Sequence, residues 1–174
     1  MTSSAGRAAA IACVVASLAA PAVCAQAPAS EPDWAGRWRG ELVNLPLRPG
    51  AAPVTVHAEI GPWPAVGGCS TWRRSFESRD HPPVTKDYRL CHGPAAGDLH
   101  VDEGNGVRLA SRLVGDTLVT PFKYGQLILL SSTRLRGEVL EEEIVTVDDK
   151  PAVEGPLALA ARGIQRITLR RVSR

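Results

Sequence analysis

The sequence predicts an all-β protein, a single antiparallel up-and-down β-barrel of about 8–10 strands. Three observations carry this prediction. Short strand-like segments fill the chain from residue 37 to residue 172, and Gly, Pro and Asn-Gly turns separate them at short intervals. Long helical periodicity is absent. Because short linkers join neighbouring strands, successive strands should form antiparallel hairpins, and closure of the sheet would remove its exposed edges.

Ten segments are rich in β-branched or aromatic residues or alternate apolar with polar ones. They are residues 37–45, 53–60, 69–78, 84–92, 98–102, 107–114, 117–123, 127–135, 138–148 and 165–172. At most one short helix is expected, over residues 156–162 before the last strand, since it would begin with Pro156 and end before Gly163. An irregular loop is the alternative for this segment.

Composition limits the function classes. The chain has 174 residues, of which 44% are hydrophobic and 22% charged, with a formal net charge of +2. This length fits one globular domain, and the hydrophobic content is too high for a disordered chain. A nucleic-acid partner is not predicted, because the basic surplus of such proteins is missing.

The beginning of the chain is typical of a secretory signal peptide. Arg7 precedes an apolar run over residues 8–20. This run of about 13 residues is shorter than the roughly 20 that a transmembrane helix needs. Small residues around Ala25 are suitable for cleavage there. We therefore expect a signal peptide over 1–25, a flexible segment over 26–33 and a barrel domain over 34–174, in a secreted or periplasmic protein without a transmembrane segment.

Export decides how the cysteines are interpreted. Cys13 and Cys24 leave with the signal peptide, so Cys69 and Cys91 predict one disulfide in an oxidising compartment. Folding the hairpin about Asp80, with a turn over 79–83, pairs residues whose numbers sum to 160 and brings the two cysteines together. The same register pairs Trp72 with Tyr88, Phe76 with Val84, Arg73 with Asp87 and Ser75 with Thr85. No metal site is predicted, since zinc would need more thiols or a histidine pair.

A Gly-x-Trp motif, Gly36-Arg37-Trp38, lies at the start of the first strand. It resembles the opening of lipocalins and of related calycin-type barrels such as the nitrobindin-like group. The resemblance implies that Trp38 plugs one end of the barrel and that an arginine of the final strand, Arg170 or Arg171, lies over it as a cation–π partner. It also implies a calycin-like fold.

Two departures from these families restrict the prediction. Nitrobindin-like barrels bind haem through a histidine close to the C-terminal strand, whereas no histidine follows His100 in this sequence. Haem is therefore not predicted, nor is any other cofactor. The other lipocalin motifs are not recognisable either.

Alternation along the strands indicates which side chains face the barrel interior. The candidate ligand-binding residues are Trp72, Arg74, Phe76, Tyr88, Phe122 and Trp63. Arg74 is the unusual member, because a cation on an apolar inward face needs an acid or an anionic ligand group as its partner. Trp63 lies between two prolines, where it is either an exposed recognition residue or packed across one end of the barrel.

The acidic run Glu141-Glu142-Glu143 is the strongest candidate for acid–base chemistry. In a strand, Glu142 points to the face opposite Glu141 and Glu143, so at least one of these acids should face the interior. A solvated face is the alternative, since Arg134 should lie diagonally across from Glu141.

The sequence therefore predicts an exported barrel that binds a small apolar or amphipathic molecule, with no assigned catalytic residue. Two alternatives stay open. One is an envelope protein-interaction or inhibitor module with a filled barrel, for which a protein is the partner. The other is an enzyme that uses acidic residues of the 138–148 strand.

Overall fold

The structure is a computed structural model that describes residues 31–95, 97–150 and 158–174. The predicted signal peptide over 1–25, and residues 26–30 of the segment after it, lie outside the described residues. All regular secondary structure in the described ranges is β-strand, so these ranges contain no helix long and apolar enough to cross a membrane. The strands are β1 (Gly36–Leu45), β2 (Val54–Ile60), β3 (Cys69–Ser78), β4 (His81–His92), β5 (Leu99–Asp102), β6 (Arg108–Val114), β7 (Thr117–Tyr124), β8 (Leu127–Arg136), β9 (Val139–Asp148) and β10 (Ala161–Ser173).

The ten strands form one closed antiparallel barrel. Each strand pairs with the next along the chain, and β10 returns to pair with β1, as in the registers Leu42 with Ile167 and Trp38 with Arg171. The predicted fold class, a single up-and-down barrel of 8–10 strands, is confirmed. Closure leaves the inward side chains of every strand facing one shared lumen.

The disulfide hairpin has the predicted register. Cys69 pairs with Cys91, and the Sγ atoms are 2.00 Å apart. Trp72 lies opposite Tyr88 on the inward face, and on the outward face the Arg73 guanidinium donates to the Asp87 carboxylate over 2.9 Å. Linking residues this far apart in the sequence stabilises the fold by about 3 kcal/mol in the chain-entropy description.

The turn of this hairpin is tighter than predicted. β4 begins at His81, so the turn contains only Arg79 and Asp80, and the expected turn over 79–83 was too long. Two consecutive prolines follow His81 inside the strand. Proline has no backbone N–H, but over the described residues β5 pairs with β4 only at 89–92, and the prolines lie beyond this pairing. An edge position of this kind tolerates proline.

The segment over 156–162 was predicted as a short helix or an irregular loop, and no described part of it is helical. Residues 156 and 157 lie outside the described residues, 158–160 have no regular structure, and Ala161 and Arg162 already belong to β10. The extra strand residues gain backbone pairing, because Ala161 is opposite Val147 on β9. An ion pair between Arg162 and Asp148 holds the same position.

Tryptophan side chains fill the end of the barrel where β1 begins, which we call the closed end. Trp34 and Trp38 are almost fully buried, and the Trp38 indole N–H donates to the Trp34 carbonyl oxygen over 2.9 Å. Of the two candidate arginines, Arg171 lies over Trp38, with its guanidinium carbon 4.6 Å from the ring centroid. The same guanidinium donates to the Asp33 carbonyl oxygen over 2.5 Å, which fixes the segment before β1.

The glycine of the Gly-x-Trp motif has a steric role. Gly36 has a φ of 135°, and a Cβ at this position would lie 2.5 Å from the Ser173 carbonyl oxygen. Gly40 is even more restricted, since a Cβ there would lie 1.8 Å from the Thr168 carbonyl oxygen. Both glycines therefore allow β1 and β10 to approach closely at the pairing that closes the barrel.

Replacing Arg171 tests how the closed end is stabilised. Arg171→Ala removes the cation–π contact with Trp38 and the hydrogen bond to Asp33, so we expect the free energy of unfolding to fall by about 1–2 kcal/mol. Urea denaturation measures this change. The neighbouring Arg170→Ala is the control, because Arg170 is exposed on the outer face and its removal should have a much smaller effect. Equal losses in the two variants would contradict the role given to Arg171.

Candidate ligand cavity

The half of the lumen away from the closed end contains a cavity of about 420 Å³. It opens at the end of the barrel that carries the β3–β4 turn, which we call the open end. Its lining comes from all ten strands, and Leu42, Val54, Trp72, Arg74, Phe76, Tyr88, Val101, Leu118, Thr120, Phe122, Thr133, Glu142 and Ile167 are among the lining residues. The tryptophans of the closed end form the base of the barrel, and the unfilled volume lies above them.

One wall of the cavity is aromatic. Trp72 and Phe76 on β3 and Tyr88 on β4 line the cavity together, because alternating residues of the hairpin point inward. Phe122 on β7 contributes from across the lumen. Lys86 is inward on β4 as well, with its Nζ 5.9 Å from both the Phe76 and the Tyr88 ring centroids. This wall offers a large apolar contact surface beside one cationic group.

Hydroxyl groups line the opposite wall. Ser111 and Thr120, on β6 and β7, are buried and share a hydrogen bond of 2.8 Å between their side-chain oxygens. Thr120 lines the cavity together with Ser131 and Thr133 on β8, whereas Ser111 is buried beside Thr120 and is not part of the lining. None of these four residues was predicted as a site residue, although strand alternation could have placed them inward. Serine and threonine occur on both faces of strands, so their presence alone gives no signal for a binding site.

Arg74 and Glu142 form an ion pair inside the lumen. The Arg74 Nη2 atom lies 2.6 Å from the Glu142 Oε2 atom, and the two side chains are only 6% and 12% exposed. The Arg74 guanidinium also lies over the Trp72 ring, 4.5 Å from its centroid. The partner that Arg74 requires is therefore an inward acid, although both residues still line the cavity. Arg74 and Glu142 were each predicted as candidates for the interior, but their pairing was not predicted.

The other two acids of the run lie on the outside of the barrel. Glu141 contacts Arg134 at 2.9 Å, and Glu143 contacts Arg166 at 2.9 Å. Arg134 is directly opposite Glu141 in the β8–β9 register, and not diagonal as predicted. The difference arises because the turn consists of Gly137 and Glu138, one residue later in the chain than expected. The run therefore contributes one carboxylate to the lumen and two to the surface.

Tyr88 is the cavity residue with a perturbed protonation equilibrium. Burial raises the pKa of its phenol, and the negative charge of Glu103 adds to the effect. Both causes oppose the phenolate. Tyr88 therefore stays protonated at neutral pH, and its hydroxyl can donate a hydrogen bond to a guest in the cavity.

Five of the six candidate ligand residues line the cavity, namely Trp72, Arg74, Phe76, Tyr88 and Phe122. Trp63 does not. It is half-buried near the closed end, where its ring packs edge-to-face on Trp34 with 5.8 Å between the ring centroids. This is the packed alternative considered for Trp63, and we do not include it in the candidate site.

Between β4 and β7, backbone pairing does not extend to the open end of the barrel. β5 has only four residues, and over the described residues β6 pairs with β7 only from Arg112 to Val114. Tyr88 and Lys86 on one side and Phe122 on the other therefore border a gap that leads from the open end into the cavity. A guest could enter through this gap without rupture of strand pairing.

No family model, no curated protein and no solved structure matches the chain. In the residues that the structure describes, no three His, Cys, Asp or Glu side chains gather into a metal site.

Removing one partner of the buried ion pair tests its role in the fold. Arg74→Met leaves the Glu142 carboxylate buried without its cation, so we expect the free energy of unfolding to fall by about 3–5 kcal/mol. Adding Glu142→Leu to this variant should restore most of the loss, because no unpaired charge is then left. Urea denaturation of the single and double variants measures both values.

The adjacent Arg73→Met is the matched control. Arg73 is on the outer face of the same strand, where it contacts Asp87 and Glu59, so its replacement should cost far less. A double variant no more stable than Arg74→Met alone would show that the buried pair does not govern the loss.

Proposed function

We propose that this barrel binds a small amphipathic molecule in its lumen. The observation that carries the proposal is the cavity of about 420 Å³ between an aromatic wall and a strip of hydroxyls. Small-molecule sites typically enclose roughly 300–1,000 Å³ and combine an apolar lining with a few placed polar groups. The volume and the lining are both of this kind.

An amphipathic guest is favoured over a purely apolar one. The aromatic wall of Trp72, Phe76 and Tyr88 suits an apolar chain or ring. Arg74 and Glu142 line the same cavity. An apolar guest that covers these polar groups without forming hydrogen bonds binds more weakly, because the groups lose water without gaining a partner. A guest with one polar end satisfies both parts of the lining.

The cavity also favours ligand binding over the alternative of a filled interaction module. A filled barrel would use inward side chains to occupy the lumen, as Trp34 and Trp38 do at the closed end. Towards the open end, small residues such as Thr120, Ser131 and Thr133 leave the volume free. A glycine-containing first strand and Arg171 over Trp38 support grouping the fold with calycin-like barrels.

A cavity-filling substitution tests this function. N-phenyl-1-naphthylamine, a neutral aromatic dye with one N–H donor, should fluoresce more strongly when it binds to the unmodified protein. Ser131→Phe places a ring in the lumen, so it should abolish this increase. Ser132→Phe is the control, since Ser132 is the next residue of β8 and faces outward, with its hydroxyl donating towards the Glu143 carbonyl oxygen. The control should bind the dye as the unmodified protein does.

Either of two results would overturn the proposal. One is an unmodified protein that does not bind the dye at any concentration below its solubility limit. The other is equal dye binding by the Ser131→Phe and Ser132→Phe variants, which would place the dye outside the lumen. Circular dichroism of both variants checks that each retains the barrel fold.

We further propose that the protein is exported and acts outside the cytoplasm. The signal-like segment over 1–25 and the pairing of Cys69 with Cys91 support this proposal. Mass spectrometry of the protein from its native cells should give a chain of 174 − 25 = 149 residues that begins with Gln26 and is two hydrogen masses lighter than its reduced form. A full-length chain with free thiols would contradict export.

A further inference from the structure

The Arg74–Glu142 pair is buried but incompletely hydrogen-bonded. The Nη2 to Oε2 contact of 2.6 Å is close enough for an ion pair, but its angles are not those of a hydrogen bond. Within the described chain, Arg74 Nε, Arg74 Nη2 and Glu142 Oε2 have no hydrogen-bond partner. A buried donor or acceptor without a hydrogen-bond partner carries an uncompensated desolvation cost.

The unpartnered atoms belong to side chains that line the cavity. Arg74 is 5% exposed as a residue, and Trp72 occupies one face of its guanidinium. Arg74 Nε, Arg74 Nη2 and Glu142 Oε2 are themselves fully enclosed, whereas the other terminal nitrogen, Nη1, and the other carboxylate oxygen, Oε1, are not. A guest at this position therefore meets N–H donors at Arg74 Nη1 and an acceptor at Glu142 Oε1. The polar end of the guest is therefore most stable when it can accept a hydrogen bond from Arg74 and donate one to Glu142.

The charges around the cavity disfavour an anionic guest. Arg74 and Lys86 are the cations of the lining, and Glu103 and Glu142 are its acids, so their formal charges cancel. His81 also lines the cavity, at the open end. A carboxylate guest would gain Arg74 but would lie beside the Glu142 carboxylate, and in a site with little solvent this repulsion is strong.

The geometry points to a guest whose polar end is a neutral donor–acceptor group, of which a primary carboxamide is the simplest, held by Arg74 and Glu142. The carboxamide carbonyl oxygen accepts from the guanidinium, and its NH₂ group donates to the carboxylate. This inference rests on the proposed function and specifies which chemical class the cavity selects. The apolar part of the guest then lies along the aromatic wall of Trp72, Phe76 and Tyr88.

A head-group series tests the inference. Octanamide, octanoate and methyl octanoate share one apolar chain and differ in the polar end, and displacement of N-phenyl-1-naphthylamine reports the affinity of each. At about pH 7 we expect octanamide to bind the unmodified protein about tenfold more tightly than octanoate or the ester, a difference that corresponds to about 1.4 kcal/mol. The ester lacks the donor that Glu142 requires.

Glu142→Gln should reverse the preference. The substitution removes the inward carboxylate and leaves the Arg74 charge uncompensated, so octanoate should then bind about tenfold more tightly than octanamide. Glu143→Gln is the matched control on the same strand, because Glu143 faces outward and pairs with Arg166. The control should retain the preference for octanamide.

The outcomes separate this inference from the proposed function. If octanoate binds the unmodified protein as tightly as octanamide does, the inference fails and the ligand cavity stands. The same conclusion holds if none of the three compounds displaces a dye that Ser131→Phe excludes. If the dye itself does not bind, the proposed function fails. Should Glu142→Gln not fold, the head-group series on the unmodified protein still decides the inference.

Discussion

Arg74 and Glu142 lie on β3 and β9, and closure of the barrel is what brings their side chains to 2.6 Å. The pairing of β10 with β1 is therefore the constraint on which the candidate site depends. Gly36 and Gly40 allow this pairing, because a side chain at either position would collide with the backbone of β10. An open sheet of the same strands would leave both charges to solvent, where their attraction is worth little.

Local features of the fold could be predicted from the sequence. The β3–β4 hairpin is the clearest example, since the two cysteines, the turn residues and the Arg73–Asp87 pair all require one register. Each of these pairs also lies close in the sequence, so a single turn position determines them together. Strand alternation then placed Trp72, Arg74 and Tyr88 on one face, and all three line the cavity.

Some features that depend on distant parts of the chain could not be predicted. The contact of Arg74 with Glu142 requires the shear and closure of the whole sheet, which no local pattern contains. The segment before β10 has a helix-like pattern over 156–162, but pairing with β9 draws Ala161 into the sheet. Proline likewise indicated a longer β3–β4 turn, whereas the missing pairing beyond residues 89–92 on the β5 side makes proline acceptable in the strand.

Packing at the closed end of the lumen stabilises the fold, whereas the half towards the open end contains the candidate ligand cavity. At the closed end, Trp34, Trp38 and Leu169 are almost fully buried, and this packing supplies the apolar burial on which a barrel of this size depends. Towards the open end, hydroxyls and a buried ion pair take the place of large apolar side chains. The unfilled volume that results lowers the stability of the fold. An unfilled volume beside polar atoms that lack partners is costly in a lumen with only a structural role. The cost is understandable where a guest offsets it, because binding to the folded state alone stabilises that state.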